Sequence, residues 1–190
     1  MPKISEARIL IMATDGFEQA ELLVPLKKLR EAGALVRVAA PKAPEITGWD
    51  KNDWGEKVPV DVEIISVDPK DYDCVVLPGG QMNPDALRTN DDAIDLILDF
   101  LDSGKLVAAI CHAPWLLVEA AAVEGRKLTS WSSIKTDIEN AGGEWIDRNV
   151  VVDDNLITGR SQKDLDAFVS TIIEQIEARP QWDGEFRQSA

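Results

Sequence analysis

LVAAICHAPW, residues 106–115, brings together a continuous apolar run, one of the chain's two cysteines and its single histidine. Neighbouring side chains on a regular strand point to opposite faces, so Cys111 and His112 can serve one atom only if the strand stops there. LVAAI has the length and apolarity of a strand buried on both faces. Pro114 suits the first turn of a helix, and PWLLVEAAAV, residues 114–123, has the composition to continue one. Cys111 therefore falls on a strand-to-helix turn. Such a nucleophile elbow crowds the positions two before and two after the reactive residue, and these hold Ala109 and Ala113.

Working outward, RILIMA (8–13), LVRVAA (35–40) and CVVLPGG (74–80) repeat the short apolar pattern, with helical periodicity near 18–32, 92–103, 133–141 and 162–177. Alternation of this kind predicts an α/β fold: a flavodoxin-like three-layer sandwich whose mostly parallel central sheet carries helices on both faces. Residues 44–65, with Gly48, Gly55 and Pro59 among β-favouring pieces, predict an irregular hairpin on an edge. Asp153, Asp154 and Asn155 predict a turn between two strands; lacking EF-hand spacing, they do not read as a calcium loop.

The 190 residues suit one domain, 1–190, with a polar extension after about 178. A formal net charge of −14 argues against nucleic acid and anionic membrane surfaces as partners. No apolar run has the length of a secretory or membrane-spanning segment, which points to the cytoplasm. There Cys74 reads as a buried core thiol rather than half of a disulfide. One histidine and no paired ligands at metal spacing argue against zinc, and no G-x-G-x-x-G follows a strand, so neither metal nor cofactor is expected.

The elbow turns backbone N–H groups and a helix start toward the Cys111 sulfur, which favours thiolate; the competing reading is an inert core cysteine. Glu18 precedes Leu22, Leu26 and Leu29 at helical spacing, which predicts a carboxyl on the inward stripe with a raised pKa, able to donate a hydrogen bond to that sulfur. The competing reading lets Glu18 reach solvent from the first turn. Glu21, one face around, reads as an ordinary surface acid. Gly79 and Gly80, after a strand, are candidate oxyanion donors or simply a turn. Asp85 is a candidate site acid or a first-turn residue.

DGFEQAEL (15–22), VVLPGG (75–80), AICHAP (109–114), GRKLTS (125–130) and NAGGEW (140–145) resemble, in this order, the marks of the PfpI intracellular protease family within the parkinsonism-protein superfamily of class I glutamine amidotransferase-like folds. The resemblance spans residues 8 to about 176. It implies that Cys111 is the nucleophile, His112 its partner, Glu18 the buried acid touching the sulfur, and Gly80 with the His112 backbone the oxyanion hole. Asp85 matches an acid that reaches the histidine of a neighbouring subunit, so a homodimer or larger homo-oligomer is implied. Relatives are described as proteases, as glyoxalases acting on methylglyoxal, as deglycases and as stress proteins. The expected activity is therefore a cysteine-dependent reaction on small carbonyl compounds or on glycated proteins and peptides. The alternatives are an intracellular cysteine protease and a redox-responsive stress protein without turnover.

Overall fold

The computed structural model describes residues 3–179; the polar extension expected after about 178 falls almost wholly outside them. The strands are β1 (Arg8–Met12), β2 (Phe17–Glu18), β3 (Leu35–Ala40), β4 (Glu45–Asp50), β5 (Asp53–Pro59), β6 (Val62–Glu63), β7 (Cys74–Leu77), β8 (Leu106–Ile110), β9 (Lys127–Leu128), β10 (Glu144–Trp145), β11 (Val150–Asp153) and β12 (Leu156–Gly159). The helices are α1 (Gln19–Glu31), α2 (Met82–Leu87), α3 (Asp91–Asp102), α4 (Pro114–Glu119), α5 (Lys135–Asn140) and α6 (Leu165–Ala178).

Seven strands form the central sheet in the order β11-β12-β8-β7-β1-β3-β6. Every pairing in it is parallel except β11 with β12. The period of two along each strand divides the core. Ile9, Ile11, Cys74, Val76, Ala108 and Ile110 pack toward α1 and α6, while Leu10, Met12, Val75, Leu77, Val107 and Ala109 pack toward α3 and α4. Both faces of the sheet are thus buried, and the α/β sandwich with a mostly parallel sheet is the fold observed.

The Asp153–Asn155 turn joins β11 to β12. Its side chains are occupied in holding that corner: Asp153 accepts from the Lys127 N–H, and Asn155 spans the Leu101 and Lys105 carbonyls and Arg126. The hairpin forms from β4 and β5, with Trp49 opposite Trp54, but its place differs from the expected edge. It pairs through β4 with β2, Phe17 against Gly48 and Glu18 against Trp49, in a separate three-stranded sheet. The central sheet's edge is closed by the two residues of β6 instead. The consequence is functional: the hairpin hangs beside the carboxyl ends of β1, β7 and β8, where open α/β sheets hold their ligands. Among the described residues no helix is long and apolar enough to cross a membrane.

Candidate active site

Cys111 follows β8 directly with φ +63°, the left-handed region a non-glycine residue adopts only when its surroundings impose it. Two hydrogen bonds hold it there: the Cys111 N–H donates to the Gly159 carbonyl at 2.9 Å, and the Trp131 N–H donates to the Cys111 carbonyl at 2.9 Å. Ala113 beside the turn is fully buried, which explains why only a small residue fits. The sequence's elbow is therefore present. The helix after it, α4, has only six residues and ends at Glu119 rather than continuing to 123. Its dipole counts for little; the groups that face the sulfur are two individual backbone N–H donors, those of Gly80 and His112.

The buried acid at the sulfur is Glu21, not Glu18. Glu18 lies at the end of β2 with extended backbone (φ −60°, ψ 115°) and caps α1 without being part of it. The stripe expected from Leu22 and Leu29 is the one buried, but the helix that carries it does not reach back to Glu18. The stripe that α1 buries is Glu21, Leu22, Pro25 and Leu29, and Glu21 is completely inaccessible to solvent. Glu21 Oε2 accepts the Gly79 N–H at 2.8 Å. Its other oxygen, Oε1, is buried without a hydrogen-bond partner, and the polar side chain that acts on the carboxyl is the Cys111 thiol.

Burial pushes the Glu21 carboxyl up to about 8, against the pull of the Gly79 N–H and the Cys111 thiol, with the charge of Glu18 adding to the rise. At neutral pH Glu21 carries a proton. Burial likewise pushes the Cys111 thiol up, followed by the nearby Glu21 carboxyl, while the Gly80 and His112 N–H groups pull it down. A proton on Glu21 removes the charge that opposes thiolate, so the two groups act as one proton-sharing unit. Cys74, wholly enclosed in the sheet, is pushed up by burial and then by the charge of Asp73, with the charge of Arg179 pulling the other way. It is the core thiol that the sequence suggests.

Gly79 and Gly80 divide the work expected of both. Gly79 spends its N–H on Glu21, so it is a positioning residue and not an oxyanion donor. A Cβ on it would lie 2.6 Å from Glu21 Oε2 and 2.8 Å from Cys111 Cβ, so any side chain would part the acid from the sulfur. Gly80, at φ +86°, is the residue whose N–H reaches the sulfur. Fully buried Asn83, which sequence reading passed over, clamps this turn. Its amide donates to the Pro78 and Gly79 carbonyls at 2.8 and 3.2 Å, and its oxygen accepts the Thr14 N–H at 2.7 Å.

His112 does stand beside the thiol, with Nδ1 3.2 Å from Cys111 Sγ. Burial holds its pKa below the usual imidazole value, so the ring is neutral at pH 7. Its other nitrogen, Nε2, lies 3.1 Å from Ser133 Oγ. The ring packs between Trp131, stacked at 6.2 Å, and Trp115, tilted at 5.7 Å. Asp85 sits exposed on α2 and does not line the site; within the chain its place beside the histidine is taken by Ser133.

Above the sulfur opens a cleft of about 560 Å³. Glu18, Trp49, Lys51, Met82 and Trp131 form its mouth. Glu18 thus belongs to the site, though at its entrance; partial burial, and then the charge of Asp50, raise its pKa. Trp49 meets Trp54 edge-on at 5.6 Å, which stiffens the hairpin that supplies this wall.

Residues 7–175 match the DJ-1/PfpI family. Deglycase TK1284 of Thermococcus kodakarensis is 41% identical over 166 residues, 87% of this chain and 97% of that protein. Protein/nucleic acid deglycase 2 of Escherichia coli is 40% identical over 162 residues, 85% and 92% of the two chains. The crystal structure of Drosophila melanogaster DJ-1beta superposes with a TM-score of 0.82 at 30% identity, covering 94% of this chain and 92% of that one. By sequence and by fold alike, the chain belongs to the DJ-1/PfpI family.

Proposed function

We propose that the protein is a cytoplasmic, cysteine-dependent enzyme of reactive-carbonyl protection, a cofactor-free glyoxalase or a deglycase. The observation that carries this reading is the meeting of three things at one sulfur: a strained Cys111, the protonated buried acid Glu21, and the N–H groups of Gly80 and His112. The likeness to the two deglycases above supports the same substrate class for this chain.

A dicarbonyl asks for little more. The sulfur's electron pair forms the C–S bond to the aldehyde carbon, and the carbonyl π pair moves to oxygen, which the two N–H groups stabilise. That oxygen takes the proton held by Glu21, while the thiol's own proton passes to His112 Nδ1. Glu21, now a carboxylate, is placed to take the C–H proton of the resulting hemithioacetal; the electron pair passes to the adjoining carbonyl oxygen, which takes the proton held by His112. Glu21 then gives its proton to the adjoining carbon and recovers the one on the first oxygen as that oxygen re-forms a carbonyl. The product is a thioester, which water opens to a hydroxy acid and free thiol.

Peptide hydrolysis fits this site less well. A protease histidine must become an imidazolium long enough to protonate an amine, and an acid beside it stabilises that charge. Here the partner is the neutral hydroxyl of Ser133, and burial already disfavours the charged ring. Parallel assays on methylglyoxal, a glycated peptide and casein test the reading. Carbonyl turnover disappears in Cys111→Ser and survives at reduced rate in His112→Ala, with little casein cleavage. Casein cleavage abolished equally by both substitutions would establish the protease, since members of such a unit fail together. Inactivity on all three would leave the redox-responsive protein.

A further inference from the structure

We infer that Ser133 is a positioning residue that fixes the orientation and tautomer of His112 from within the same chain. Three observations carry this. Nε2 of the ring is 3.1 Å from Ser133 Oγ while Nδ1 is 3.2 Å from the sulfur, so the hydroxyl and the thiol hold opposite ends of one imidazole. The segment bearing Ser133 hangs from the elbow itself: the Trp131 N–H bonds the Cys111 carbonyl, the Ile134 N–H closes a tight turn on the Trp131 carbonyl, and buried Ile134 anchors that turn in the core. Movement of the nucleophile's backbone and of the histidine's partner is therefore shared. Trp131 stacks on the ring and Trp115 lies tilted beside it, which restrict the imidazole and leave its two nitrogens to be set by the thiol and the hydroxyl.

The chain of donors fixes which tautomer this is. With Nδ1 3.2 Å from Sγ, the thiol donates to a bare Nδ1. Nε2 then carries the ring proton and donates to Ser133 Oγ. The bare Nδ1 is the atom that receives the thiol proton when sulfur attacks. A hydroxyl in this position orients the ring without supplying charge, unlike a carboxylate, so the imidazole returns its proton readily. The inference concerns the ring and not the substrate, and it stands or falls separately from the carbonyl reading.

Other charges near the ring come from several elements. Glu21 lies on α1, with Glu18 and Lys51 across the cleft. Arg88 lies over the Trp115 ring, and Asp137 accepts from that indole. Substitutions at Ser133 leave all of these in place, so changes in the imidazole signals report the hydroxyl.

Since His112 is the chain's single histidine, its ring nitrogens give one assignable pair of signals in ¹⁵N nuclear magnetic resonance of the full-length protein. Unsubstituted protein should show the Nε2–H tautomer at neutral pH. Ser133→Ala should shift the tautomer ratio on the order of fivefold, the equivalent of one ordinary hydrogen bond. Ser133→Thr should restore it, and Ser133→Asp should raise the imidazole pKa by about one unit or more. Ring signals and pKa identical in all four proteins would overturn the inference. So would a shift produced by Asp85→Asn and not by Ser133→Ala, which would assign the histidine to an acid from a neighbouring copy. Circular dichroism on each variant separates these outcomes from loss of fold.

Discussion

Glu21→Gln is expected to lower carbonyl turnover by about a hundred- to ten-thousand-fold, the usual worth of a general acid–base, while leaving the fold intact. The glutamine oxygen still accepts the Gly79 N–H, and the amide still fills the buried space, but no proton can leave it or return. Glu21→Leu should lose turnover as fully and also lose stability, because the Gly79 N–H is then buried without an acceptor, at a cost of about 1–3 kcal/mol. Glu18 provides the contrast. Standing at the mouth, Glu18→Gln should change KM more than kcat. Steady-state kinetics on methylglyoxal check all three, and a Glu21→Gln enzyme with near-normal kcat would remove the acid from the chemistry.

The second large effect is on stability against pH. Glu21 titrates near 4.5 in the unfolded chain and at about 8 in the folded one. Between those values the folded state binds one proton more than the unfolded state. The stabilisation is therefore complete below pH 4.5 and is lost as pH rises toward 8, at up to about 1.4 kcal/mol per pH unit. His112 works in the opposite sense: buried neutral, it makes the protein lose stability as pH falls below the ordinary imidazole value. Comparison with Glu21→Gln cancels that contribution, since both proteins keep the histidine. The stability of the unsubstituted protein minus that of Glu21→Gln should thus fall steadily from about pH 5 to 8 and then level off. Urea titrations across this range measure it, and parallel curves for the two proteins would mean that Glu21 is ionised in the fold.

The sequence carried the elbow and the sheet because their causes are local. An apolar run ending in a cysteine flanked by small residues and followed by proline has few other ways to fold. The acid was harder to place for a physical reason. Glu18 and Glu21 are both in DGFEQAEL, and which of them faces the sulfur depends on where the helix begins. Glu18 pairs with Trp49 as part of β2, a contact made by a hairpin some thirty residues away, so α1 starts one residue later than periodicity suggests. Ser133 left no signal at all: its role follows from one backbone hydrogen bond between Trp131 and Cys111, which no spacing along the chain encodes. Asp85 is exposed on α2, as an acid expected to reach the histidine of a neighbouring subunit would be.

The central claim is that a carboxylic acid, not a carboxylate, lies against the Cys111 sulfur at neutral pH. Infrared difference spectroscopy of the unsubstituted protein against Glu21→Gln at pH 7 measures this directly. The account predicts a protonated-carboxyl C=O band that is absent from Glu21→Gln, persists until about pH 8 and shifts in Cys111→Ser. A carboxylate band for Glu21 at pH 7, with no protonated-carboxyl band, would contradict it.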